Sequence, residues 1–204
     1  MLIAFLIFGC CAASAQTAGQ TKSPADEGTQ SVVIRAVIGI DGIPFRPIIV
    51  RGIDAEKDRA SLDAFRQWRF RPGMKNGKPV PVVAEVQISF GPRGDSAAPQ
   101  VSQAPGLRLQ TAEEEHALLE YYVSRAEAGD IDSQVEASLR LSNKRSPDED
   151  VVRARAWAII AAKGGSQEAA KLRAKVERRM TASQIAAADR AADEWRPGSA
   201  LSVQ

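Results

Sequence analysis

Cysteine, histidine and aromatic residues are all scarce in this sequence, and each scarcity removes a class of function. The two cysteines are adjacent, Cys10 and Cys11, and both sit in an N-terminal apolar stretch. Once that stretch is removed on export the remaining chain has no thiol. A disulfide framework and a thiolate metal site are then excluded, and stability rests on packing. The single histidine, His116, follows Glu113-Glu114-Glu115 in what reads as a helix first turn. A solvated surface role is expected for it, and the acidic run suits the helix dipole. There is no phosphate-binding loop, dinucleotide-binding glycine pattern, nucleophile elbow or metal-ligand spacing, so no catalytic residues, metal or cofactor are expected and the chain does not read as an enzyme. Net charge is scarce as well: 27 Lys and Arg against 25 Asp and Glu leave +2, too little over 204 residues to demand a polyanion such as nucleic acid.

Long apolar runs are absent too. The longest, Met1–Phe8, is well short of the roughly 20 residues that span a bilayer. Followed by Ala13-Ser14-Ala15, it fits a signal peptide over residues 1–15 cleaved after Ala15. Ile7-Phe8-Gly9-Cys10 loosely matches a lipobox, so acylation of Cys10, or an uncleaved anchor, is the membrane-associated alternative to a periplasmic protein. Residues 16–30 are polar and rich in Gly, Ser, Thr and Pro, and read as a flexible tether.

What is present falls into two blocks. In residues 31–91, Val32, Ile34, Ala36, Ile38 and Ile40 alternate with Arg35 on the other face and end in the hairpin turn Asp41-Gly42. The returning strand carries Pro44 and Pro47, which suit a sheet edge. A helix follows, capped by Asp54 or Asp58, with Leu62, Phe65 and Trp68 on one face as core; Pro72 should stop it near Phe70. After a turn at Asn76-Gly77, Val82, Ala84, Val86, Ile88 and Phe90 alternate with Val83, Glu85, Gln87 and Ser89 in a last strand.

Residues 92–110, rich in Pro, Gly, Ser and Ala, read as a linker. Beyond it the chain turns Ala-, Glu- and Arg-rich, and five helices are expected near 111–127, 132–143, 147–163, 166–179 and 182–195. The first, third and fifth start at capping boxes opened by Thr111, Ser146 and Thr181. Residues 127–140 resemble residues 161–173 at a helix-pair repeat spacing, so residues 111–196 read as a helical-repeat domain and 197–204 as a disordered tail. The expected fold class is α+β: a small antiparallel sheet on one helix, followed by an all-α unit.

The motifs of the first block, Asp41-Gly42, Trp68-x-Phe70-x-Pro72, Gly77-Lys78-Pro79 and the final alternating strand, together resemble the C-terminal domain of TonB-family proteins over about residues 31–91. The resemblance implies a periplasmic domain whose last strand offers its edge to an extended peptide segment of an envelope or outer-membrane protein. By position that edge is Val80 to Phe90, with Val80, Val82, Val83, Ala84, Glu85, Val86 and Gln87 against the partner and Pro81 removing one donor. The helical block resembles short tetratricopeptide or Sel-like repeats, which are interaction modules. The reading is an exported envelope binding protein. The alternative is an energy transducer for receptor-dependent outer-membrane transport, for which a tether reaching only some 50 Å, at about 3.3 Å per residue, is short. The basic group Arg66, Arg69, Arg71, Lys75 and Lys78 reads as a solvated helix end, with attraction of an anionic partner as the sharper alternative.

Overall fold

The computed structural model describes residues 30–91, 100–102, 111–143 and 150–203. The expected signal peptide, nearly all of the tether and the Ser146 capping box lie outside them.

Strand β1 (Gln30–Ile38) is the centre of the first unit. It pairs antiparallel with β2 (Pro44–Arg51) on one side and with β5 (Val82–Phe90) on the other. The alternation in β1 and β5 places Val32, Ile34, Ala36, Ile38, Ala84, Val86 and Ile88 on one face, where they form a core with Phe65. Above that face lies helix α1 (Ala55–Gln67), started by Asp54, whose carboxylate accepts from the Lys57 N–H. Asp58 caps nothing; its carboxylate instead accepts from the Ile53 N–H at 2.9 Å. As its prolines suggest, β2 is an edge strand, and its register with β1 slips around Arg46-Pro47, where Arg46 takes φ of 46°.

Helix α1 stops earlier than expected. Trp68 is its C-cap, extended at φ −71° and ψ 155°, and is half-buried. Leaving the helix here lets Trp68 and Phe70 alternate in an extended segment, so that both rings pack near Phe65, at 5.6 and 5.2 Å. The Phe70 N–H then donates to the Gly42 carbonyl at 2.9 Å. Gly42 itself has φ of +75°, and a Cβ there would run into the Phe70 carbonyl oxygen, so the hairpin turn and the aromatic segment require the same glycine. The short hairpin β3 (Gly73–Lys75) and β4 (Lys78–Val80) turns at Asn76-Gly77, both at positive φ.

Among the described residues the second unit has five helices: α2 (Ala112–Glu127), α3 (Ile131–Leu141), α4 (Val151–Lys163), α5 (Gln167–Glu177) and α6 (Ala182–Glu194). Thr111 and Thr181 form reciprocal capping boxes with Glu114 and Gln184. Helix α4 begins four residues later than expected, because Asp150 is its N-cap and accepts from the N–H groups of Val152 and Arg153. Its core is Ala-rich around Trp157, which is fully buried and meets Trp195 edge-on at 5.6 Å. Arg155, only 6% exposed, ties three helices together by reaching Asp189 at 2.7 Å and Glu177 at 3.4 Å. Residues 197–203 are not the loose tail that was expected: Leu201 is buried in this core, and the Gly198 N–H donates to the Glu127 carbonyl.

Candidate functional site

Two corrections bear on the proposed pairing edge. Val80 is not part of it: Val80 lies in β4 opposite Gly73, and Pro81 separates it from β5, which starts at Val82. As the alternation implied, Ala84 and Val86 point into the core under α1, while Val83, Glu85 and Gln87 stand on the other face. The edge is also not wholly free. A three-residue strand, β6 (Gln100–Ser102), falls inside the segment expected to be linker and pairs antiparallel with Glu85–Gln87. The sheet order is therefore β2-β1-β5-β6, and β5 is uncovered by β6 at Val82–Ala84 and at Ile88–Phe90.

The outward face of the sheet meets the helical unit. Helix α2 lies along β1, with Glu113 near Arg35 at one end and Arg125 near Asp41 at the other. Between these ends Val37, Leu118 and Tyr121 form a small buried core flanked by Phe45 and Val83. The Tyr121 hydroxyl accepts from the Ile40 N–H at 3.1 Å, and Arg46 pairs with Glu120. Arg35 donates to Glu85 at 2.7 Å and to Glu113 at 2.9 Å. Its pKa is raised, chiefly by the Glu85 hydrogen bond and against the pull of burial. Val83, expected to face a partner, thus packs against α2, and Glu85 is held by Arg35. Gln87, with Val33 and Val50, lines a shallow cavity of about 390 Å³.

Two further hollows flank this junction. One, of about 590 Å³, is mostly apolar and lies between β2 and α2, with Phe45, Ile48, Val83 and Ala117 in its walls and His116 at its rim. His116 is largely exposed and lies 3.9 Å from the Glu120 carboxylate, as the surface reading expected. The other, of about 640 Å³, separates hairpin β3–β4 from α2, α3 and α5. Among the described residues no group of three metal-ligating side chains is assembled, and no helix is long and apolar enough to cross a membrane.

A small antiparallel sheet on one helix is what the sequence resemblance implied; the short fourth strand β6 and the closure of the Asp41-Gly42 turn by the Phe70 segment are additions the structure makes. Residues 25–92 match the family model of the Gram-negative bacterial TonB protein C-terminal. The match covers a third of the chain and supports a TonB-like, envelope-type protein-interaction domain there; α2 to α6 lie outside it. No curated protein and no solved structure matches the chain.

The sequence missed the docking of α2 on the outer face and the strand β6. Arg35 on the solvent side of a strand and the acids at the start of α2 were visible, but nothing local connects residues 78 positions apart.

Proposed function

We propose that the protein is an exported, periplasmic binding protein of the Gram-negative envelope and that it captures an extended segment of an envelope or outer-membrane protein by strand addition to β5. The observation that carries this is the edge of β5, a nine-residue strand of which β6 covers only three residues. Unpaired N–H and C=O groups of a well-ordered strand are a template for a further strand. A segment longer than three residues has to displace β6 to pair along the full length. On this reading Val83, Glu85 and Gln87, which turn their backbone groups to the same side, bond the added strand while Val82, Ala84 and Val86 stay on β1, Pro81 bounds the site, and the helical unit is a repeat-type scaffold that holds the outer face of the sheet.

The test is a set of backbone and side-chain variants read by photo-crosslinking to envelope proteins in the intact cell. Residues two apart in a strand point their N–H groups to the same neighbour. Val83→Pro and Gln87→Pro, checked by circular dichroism for folding, are each expected to reduce crosslinked partner by about tenfold, a loss comparable with that of one backbone hydrogen bond. Gln87→Ala should change it little. Folded proline variants that still crosslink like wild type would sink strand addition.

A further inference from the structure

The groove between hairpin β3–β4 and the helical unit brings together charges that are remote in sequence. Lys75 lines one wall, and Lys175 and Arg179 line the other, with Arg140 between them. The acidic side chains of the groove, Glu115 and Glu136, are both committed to Arg140, at 2.6 and 4.0 Å. Arg179 donates to the Ser142 carbonyl. Lys75 and Lys175, one on each wall, have no ion-pair partner among the described residues. Exposed residues of the same sign lie on the flanking elements, Lys78 in β4, Lys171 in α5 and Arg178 at the α5 C-cap.

The groove is not only cationic. Leu139 is 45% exposed in it, beside the buried Val176, which gives an apolar step between the basic walls. A concave, charged slot of this kind concentrates potential where a flat surface would spread it. A protein segment fits both features, with carboxylates for the lysines and an apolar side chain for Leu139.

We infer that this groove is a second interaction surface, which takes an acidic, leucine-bearing segment of a protein partner. It is separate from the β5 edge and does not depend on strand addition there. Since the lysines are exposed and unpaired, they supply charge complementarity, which governs encounter rate and salt dependence more than packing does.

The probe is a labelled peptide, Glu-Leu-Glu-Asp-Leu-Glu, measured by fluorescence anisotropy against the full chain from Gln16. Binding is expected to weaken as salt is raised, and the same peptide with lysines for its acids should not bind. Lys75→Glu with Lys175→Glu should weaken binding by about tenfold or more, because rim charges are reversed on both walls. Arg59→Glu with Arg190→Glu makes the same change of net charge on exposed residues outside the groove and should leave affinity nearly unchanged. Leu139→Ser should weaken binding severalfold with the charge intact, and Gln87→Pro, which disables the sheet edge, should bind the peptide as wild type does. Equal losses in the two charge-reversed pairs would reduce the effect to net charge and overturn the assignment. So would loss in Gln87→Pro, which would move the peptide to the sheet edge. Displacement of the peptide by phosphatidylglycerol vesicles, with vesicle binding lost in Lys75→Glu with Lys175→Glu, would assign the patch to a lipid surface instead.

Discussion

Trp68 ends a helix rather than belonging to one, and this sets what its removal costs. The ring is half-buried against Phe65 and Phe70, so Trp68→Ala should destabilise by about 2 kcal/mol, below the range for a fully enclosed aromatic. Chemical denaturation reads this directly; an unchanged midpoint with lost partner binding would make Trp68 a contact residue. Asp130 is the other residue with a wide reach. Burial works against its carboxylate, but the Ser133 N–H, which it caps at the start of α3, and the Arg125 guanidinium hold its pKa below the usual 3.8. A depressed folded-state pKa gives stability that is complete above the unfolded value and lost as pH falls through the folded one. Asp130→Asn should therefore flatten the acid limb of the stability curve below about pH 4, where an ordinary aspartate titrates, while costing little at neutral pH because Asn also caps well. An acid limb identical to wild type would show that other carboxylates carry it.

Elements whose signals are local could be read in advance. The Asp41-Gly42 and Asn76-Gly77 turns, the alternation in β1 and β5 and the capping boxes at Thr111 and Thr181 each lie within a few residues of the feature they specify. Where two local signals competed the boundary moved: α1 ends at Gln67 because the rings of Trp68 and Phe70 gain more from the core than from another helical turn. Strand β6 was illegible for a different reason. Three residues in a segment rich in Pro, Gly and Ser carry no periodicity, and only the open edge of β5 makes a strand of them. Gln100→Pro, Val101→Pro and Ser102→Pro combined should free that edge and raise affinity for an added strand by severalfold, since an intramolecular competitor is removed. Titration of a crosslinking partner segment checks this; an unchanged or lower affinity would mean that β6 does not compete with the partner.

At the scale of the molecule, the contact least visible in the sequence joins its two halves. Leu118 and Tyr121, 1% and 4% exposed, are buried against Val37 rather than in the helical core alone, and burial of such side chains contributes about 1.5–3 kcal/mol each. Because Arg35, Arg46 and Asp41 add polar links along the same helix, the whole chain should melt in one calorimetric transition. A fragment of residues 25–92 would bare Val37, Val83 and Phe45. It should show a lower midpoint than the full chain and concentration-dependent association in sedimentation, whereas an equally stable, monomeric fragment would refute the coupling. The family match in this chain thus ends near residue 92, while the border of cooperativity lies beyond α2. Anyone who borrows the first unit as a portable module inherits half of an interface, and apparent gains in stickiness would report the missing helix rather than a ligand.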